Sequence, residues 1–333
     1  MKTYGADAIQ DLVIVGVGPP ALAALYEAQQ AGLNVVGIDK GPVCGALVKH
    51  PPYMRWFSTY DKLELCGFPL LIDEKNPTRR EYLKYCRTFA RQFDLKVNTY
   101  RTVTSIEKKD DGVFEVYAHD RFGRYTHWST RNVAVGTGFY DSPRPLEVKG
   151  EELPHVSHVY SETHNYADHK VVVVGAGSSA AEIALELHRD FTDVTIVTRG
   201  DTFNTKFWVE PDIENRIKEG SIRCYRNAEV LSIHEDSMMV RDETGNEVEL
   251  EADFILAMTG YEPDTRFLTS LGAEIDTSLN KPILSDGLET TVEGLYVMGT
   301  LCAGVESNVV FIENSRDHGT KIVRDILAKR SFS

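Results

Sequence analysis

No two of the five cysteines, Cys44, Cys66, Cys86, Cys224 and Cys302, form a C-x-x-C pair. An odd number without paired spacing argues against both a disulfide framework and a cysteine-ligated zinc site. Basic residues are also short: 36 Lys and Arg stand against 50 Asp and Glu, a net charge of -14 in 333 residues. Nucleic acid and anionic membrane surfaces select basic faces, so neither is expected as a partner. No apolar run approaches membrane-spanning length, and the opening MKTYGADAIQ lacks the basic and apolar segments of an export signal. The expectation is a cytoplasmic globular protein with chain enough for two domains.

What is present centres on LVIVGVGPPA, Leu12 to Ala21. Four apolar residues lead into Gly16, Gly18 and Ala21, the G-x-G-x-x-A form of the dinucleotide fingerprint. Gly16 permits a tight turn, Gly18 lets backbone approach a pyrophosphate, and Ala21 lets helix pack on strand. The next segment keeps Ala21, Ala24, Leu25, Ala28 and Ala31 on one helical face and stops at Gly32. A second strand, Val35 to Ile38, ends in Asp39, an acid placed to accept from an adenosine ribose.

Beyond Asp39, Lys40 to Lys75 is irregular and aromatic, with Tyr53, Trp56, Phe57 and Tyr60, and is read as a covering loop or a lining of the nucleotide site. Thr78 and Glu81 form a capping box for a helix to about Phe93. The period then changes to two, and Thr102 to Lys108, Val113 to Ala118 and Tyr125 to Ser129 read as an antiparallel meander closing on Asn132 to Gly138, NVAVGTG.

The same order recurs in KVVVVGAGSSA, Lys170 to Ala180, with Gly175, Gly177 and Ala180. A helix from Ser179 to about Arg189, a strand from Val194 to Thr198, a meander from Glu229 to Leu250 and a strand and glycine turn, DFILAMTG, follow. Two copies of one programme imply two dinucleotide domains. Where the first copy ends its second strand in Asp39, the second has Thr198 and Arg199. An acid would repel a 2'-phosphate and Arg offers it a planar fork, so the second site favours NADPH, with Lys206 as a further cation. The tail from Glu262 carries a buried strand, Leu295 to Gly299, then a helix from near Asn308 to about Lys329, and this strand returns to the first domain. The expected fold is α/β, with two Rossmann-like domains that each carry an antiparallel meander, one inserted in the other: 1-150 with 261-333, and 151-260.

With these residues in place the chain resembles the two-dinucleotide flavoproteins of the thioredoxin reductase type over almost its whole length. It is most similar to the bacillithiol disulfide reductase-like family through FSTYDKLELCGFPL, Phe57 to Leu70, and FIENSRDHG, Phe311 to Gly319. The resemblance implies FAD in the first domain, held by Gly16, Gly18, Pro19, Pro20, Ala21, Asp39 and Lys40, with Val103 by the adenine and Thr137-Gly138 closing the site. It places the late turn, Gly299-Thr300, on the flavin side, with a threonine where family members carry Asp. The helix start near Asn308 would direct its dipole at the flavin pyrimidine. NADPH falls to Gly175, Gly177, Ser178, Ser179, Thr198, Arg199 and Lys206. A homodimer is implied as well.

Two departures shape the expected chemistry. Without a C-x-x-C pair, the thiolate exchange route of thioredoxin reductases is closed. The glycine-loop cysteine of the bacillithiol disulfide reductase-like pattern is replaced by Pro20, which forms no mixed disulfide. Cys302, just past Gly299-Thr300, is the one cysteine near the expected flavin edge, against a plain reading as a small buried hydrophobe. The expectation is therefore an FAD enzyme taking hydride from NADPH and passing electrons to a small molecule or small redox protein. The alternatives are a thioredoxin reductase-like ferredoxin or flavodoxin-NADP reductase, a flavin monooxygenase, and a non-enzymatic FAD- or NADP-binding regulator.

Overall fold

Leu12–Val15 form β1, all four residues out of solvent, as a strand covered on both faces requires. The computed structural model describes residues 3–51, 54–306 and 309–331. The helix α1, Pro19–Gln30, follows the glycine turn and β2 covers Val35–Asp39. The long loop after β2 contains a 3-10 turn, Gly45–Lys49, and a short helix α2, Tyr60–Leu63. In α3, Arg79–Gln92, the Thr78 hydroxyl accepts from the Glu81 amide at 3.2 Å while the Glu81 carboxylate accepts from the Thr78 amide at 2.7 Å, the reciprocal cap read from the sequence. Strands β3, Val97–Thr99, β4, Arg101–Lys108, β5, Phe114–Asp120, β6, Tyr125–Thr130, and β7, Val133–Val135, complete the first stretch.

The second stretch runs β8, Val156–Ser157, β9, Lys170–Val174, α4, Ser178–Arg189, β10, Asp193–Val197, α5, Glu210–Lys218, and β11, Arg223–Tyr225. It continues with β12, Glu229–Ile233, β13, Ser237–Arg241, β14, Glu247–Glu251, and β15, Phe254–Ala257. The tail holds α6, Arg266–Ser270, β16, Ile275–Asp276, β17, Lys281–Pro282, β18, Leu295–Val297, α7, Ile312–Ser315, and α8, His318–Arg330.

These elements build two units, 1–142 with 261–333 and 143–260. The first has a parallel sheet in the order β18-β7-β1-β2-β3 and the antiparallel sheet β4-β5-β6. The tail strand β18 pairs with β7, so the last quarter of the chain completes the sheet that the first residues begin. The second unit repeats the plan, with a parallel sheet β11-β10-β9-β15-β8 and an antiparallel sheet β12-β13-β14. Among the described residues no helix is long and apolar enough to cross a membrane.

In the first unit the alanine-rich face of α1 lets α8 come very near: a Cβ at Gly319 would lie 2.4 Å from the Ala24 Cα. The single tail helix expected from near Asn308 is corrected here. Helix starts instead at Ile312, is interrupted at Arg316-Asp317 and resumes at His318. Asn308 itself lies outside the described residues. The start is set locally: the Asn314 side chain accepts from the Phe311 amide at 2.8 Å and so caps the helix that begins at Ile312.

Candidate functional site

In the first unit three glycine turns converge at the carboxyl ends of β1, β7 and β18, where parallel α/β sheets place their ligands. Gly16 has φ +92°, and a Cβ there would sit 2.4 Å from the Gly136 carbonyl oxygen. Only glycine serves at this position, because space and backbone conformation both forbid a side chain. Beside this turn the Thr137 hydroxyl is out of solvent without a hydrogen-bond partner among the described residues. Such an orphan in a glycine cradle fits a bound polar group. Pro19 and Pro20 take the first two positions of α1 and Gly18 its cap. Prolines carry no N–H, so Ala21 is the first donor inside the helix and fewer amides face a phosphate than a helix start normally offers.

Asp39 closes β2 and accepts from the Val17 amide on one carboxylate oxygen and from the Gly41 amide on the other, each at 2.7 Å. Each oxygen keeps a free lone pair, so the acid braces the glycine loop and can still accept from a sugar hydroxyl. Burial pushes its pKa up, against the pull of the two amides and Lys40. Lys40 pairs with Asp141 at 2.7 Å, which places its charge on a neighbouring loop. Val103 sits partly buried where β4 is bulged against β5.

Gly299 and Thr300 open a 3-10 turn, Gly299–Ala303, after β18. A Cβ on Gly299 would lie 3.6 Å from Pro20 Cγ, and one on Gly138 would lie 3.6 Å from the Thr300 hydroxyl oxygen. The turn predicted as flavin-facing is thus brought against both other glycine turns. Cys302 is buried in it, and burial pushes its thiol up to about 12, so it carries no thiolate at neutral pH. His318, a residue the sequence reading passed over, accepts the Gly299 N–H on Nδ1 at 3.1 Å and lies 3.9 Å from the Cys302 sulfur.

The aromatic loop packs from its own side chains and from the segment after Gly138. Tyr140 stacks on Tyr261 with centroids 4.6 Å apart and on Phe139 at 5.6 Å. Its hydroxyl is 2.9 Å from His50 Nδ1, and the His50 ring meets Trp56 edge-on at 5.5 Å. Tyr53, in the same loop, lies outside the described residues. Burial brings both His50 and His318 down to about 4, helped by Arg79 and Lys321 respectively.

An acid-sensitivity follows, with its sign fixed by linkage. A histidine lowered from about 6.5 to about 4 stays neutral in the fold while the unfolded chain takes up a proton. Stability is full above pH 6.5, falls as pH drops toward about 4, and levels off below that. Each ring contributes about 2 kcal/mol of loss between pH 6.5 and 5. Asp39, being raised, acts in the opposite direction over a lower window. Urea unfolding at pH 7 and pH 5 measures the loss, and His50→Leu is expected to flatten about half of it.

In the second unit Gly175 has φ +134°, and a Cβ there would meet the Met258 carbonyl oxygen at 2.4 Å. Gly177 caps α4 with φ -80°, and nothing lies within 4 Å of where its Cβ would be. Ser178 and Ser179 open the helix, and unlike the prolines of α1 both carry an N–H. Thr198 is buried and its hydroxyl accepts from the Gly200 amide at 3.2 Å. The adjoining loop crosses the glycine turn: the Asn204 amide donates to the Ala176 carbonyl at 2.8 Å. Next to it the Thr205 hydroxyl is buried without a partner among the described residues.

The cations of this site differ in availability. Lys206 is tied to Glu182 at 2.5 Å, and Arg226 grips Glu214 with two bonds of 2.7 and 2.8 Å. Arg199 is exposed and has no acidic partner among the described residues. Arg226 was not anticipated as part of this neighbourhood, since its nearness comes from β11 pairing with β10.

A sequence model of the family described as pyridine nucleotide-disulphide oxidoreductase matches residues 13–299. Bacilliredoxin reductase Bdr of Bacillus subtilis is 33% identical over 321 residues, 96% of this chain and 97% of that protein. The bacillithiol disulfide reductase Bdr structure from Bacillus cereus superposes with a TM-score of 0.94 at 33% identity, covering 97% of this chain and all of that one (100%). A ferredoxin–NADP reductase of Flavobacterium johnsoniae is 24% identical over 301 residues, 87% of this chain and 80% of that protein.

Proposed function

Because the chain belongs to the pyridine nucleotide-disulphide oxidoreductase family, we propose that it is an FAD-dependent oxidoreductase that draws on NADPH and delivers electrons to an acceptor without a cysteine relay. The observation that carries the flavin half is the cradle of Gly16, Gly136 and the unpartnered Thr137 hydroxyl, closed by Gly299 and Thr300. Gly18 and Ala21 would receive the pyrophosphate, Asp39 the ribose, and Thr300 would offer a hydroxyl in place of a carboxylate. The nicotinamide nucleotide falls to Gly177, Ser178, Ser179 and Arg199. Bound FAD supplies the two-electron chemistry, and the protein supplies binding, orientation and electrostatics.

Support for an acceptor reaction without protein thiols is direct. Pro20 stands in the glycine loop, Cys302 is held protonated by burial, and Cys44 and Cys86 lie inside the first unit's core. Cys224 is raised too, since burial outweighs Arg226 beside it. The same set of facts suits a ferredoxin or flavodoxin reductase, which needs no thiol.

The test is anaerobic mixing of FAD-loaded protein with NADPH and, separately, NADH, following flavin absorbance, and then adding candidate acceptors. Bleaching by NADPH much faster than by NADH is the expected result. A semiquinone and fast turnover with a one-electron carrier would select the ferredoxin or flavodoxin branch; reoxidation by a low-molecular-weight disulfide would select the disulfide branch. Failure of both nucleotides to bleach the flavin would overturn the oxidoreductase reading.

A further inference from the structure

His318 is a nearly buried histidine at the first position of α8, and no part of the proposed reaction uses it. Its Nδ1 accepts the Gly299 N–H at 3.1 Å, which assigns the imidazole proton to Nε2. The Cys302 sulfur lies 3.9 Å from the same nitrogen. Gly299 itself has φ +68°, a left-handed turn that glycine adopts without strain, and its N–H is the donor that the histidine ring receives. The residue after His318 is wedged against α1, where a Cβ on Gly319 would stand 2.4 Å from Ala24 Cα and 2.6 Å from its nitrogen. The histidine backbone therefore cannot shift, and the ring acts as a strut between α1 and the turn.

What the strut holds is the place where three glycine turns meet. Gly299 abuts Pro20 and Thr300 abuts Gly138, with the Thr137 hydroxyl unpartnered alongside. We propose that His318 is the positioning residue of the flavin turn: its unprotonated Nδ1 fixes the Gly299 amide, and through it Thr300, in the conformation that receives FAD. The inference rests on the flavin reading of this site.

The strut is also proton-sensitive in a definite direction. A proton on Nδ1 would set one N–H against another and release the turn. Lys321 and Asp317, on its own helix, and the Cys302 thiol, from the turn, are the titratable groups that face the ring. Burial and Lys321 hold it to about 4, with Asp317 opposing. FAD is therefore held by the neutral ring at ordinary pH and released, with uptake of a proton, as pH falls through about 4.

The experiment is an FAD titration by fluorescence quenching on wild-type chain, His318→Leu and His318→Asn, at pH 7 and then across pH 6 to 3.5. Asn keeps an acceptor oxygen where Nδ1 sits, while Leu has none. His318→Leu is expected to weaken FAD by about tenfold or more and His318→Asn by under about threefold. The release step near pH 4 should be present in wild type and absent from the Asn variant. Unchanged affinity in the Leu variant, or equal weakening in both variants with the acid step retained, would overturn the inference. Should the Leu variant fail to fold, wild type and the Asn variant decide, with far-UV circular dichroism followed at each pH: FAD release in wild type ahead of any loss of secondary structure supports the strut, and release only together with unfolding overturns it. If wild-type chain binds no FAD at pH 7, the flavin reading itself fails, an outcome distinct from those above.

Discussion

Gly16→Ala is expected to destabilise the first unit by about 2–5 kcal/mol, the sum of positive-φ strain and a forced overlap. The overlap is unavoidable: a methyl group would lie 2.4 Å from the Gly136 oxygen and 2.8 Å from its carbon, both backbone atoms. The β1 turn and the β7 turn would have to separate, and FAD retention would be lost with them. Gly177→Ala in the second fingerprint makes the contrast. There φ is -80° and the space is open, so the change in stability should stay under about 1 kcal/mol. The new methyl group would instead project at the α4 N-terminus, where backbone must approach a pyrophosphate, and NADPH binding should weaken by about tenfold or more. Chemical unfolding and NADPH titration on the two variants separate these outcomes. A stable Gly16→Ala protein that keeps its flavin, or a Gly177→Ala protein that binds NADPH normally, would contradict the reading of the corresponding turn.

That contrast also marks how far the sequence could be read. Both fingerprints were legible because a glycine demanded by a turn leaves no alternative residue, and the strands beside them are continuous apolar runs. The sheet edges were not. β8 and β11 have two and three residues, too few for a period, and they are strands only because β15 and β10 supply partners. The availability of the cations was equally hidden. Lys206 reads as a phosphate ligand from its place after Arg199, yet Glu182, a residue 24 positions earlier, already holds it. His318 shows the same limit, because its bond to Gly299 joins residues 19 positions apart through a tertiary fold. Sequence pattern reports what a residue's own segment requires; it is silent on what arrives from another segment.

Since Lys206 and Arg226 are engaged by acids, discrimination between NADPH and NADH should rest chiefly on Arg199. Its guanidinium is exposed two residues past β10, next to Thr198, which takes the place that Asp39 has in the first unit. A charge-assisted bond to a 2'-phosphate contributes about 1.5–3 kcal/mol, so Arg199→Ala should raise the KM for NADPH by about 10- to 100-fold. The KM for NADH should hardly change, because NADH has no group for the arginine to meet. A flavin reduction rate at saturating NADPH that stays close to wild type would place the loss in binding rather than in the chemical step. Glu182→Gln acts in the opposite direction. It frees Lys206 from its ion pair and removes a negative charge beside the first turns of α4, and is expected to tighten NADPH more than NADH, which gains only from the second change. If Arg199→Ala lowers affinity for both nucleotides equally, the arginine supports the loop rather than the phosphate, and the preference for NADPH must be sought elsewhere in the second unit.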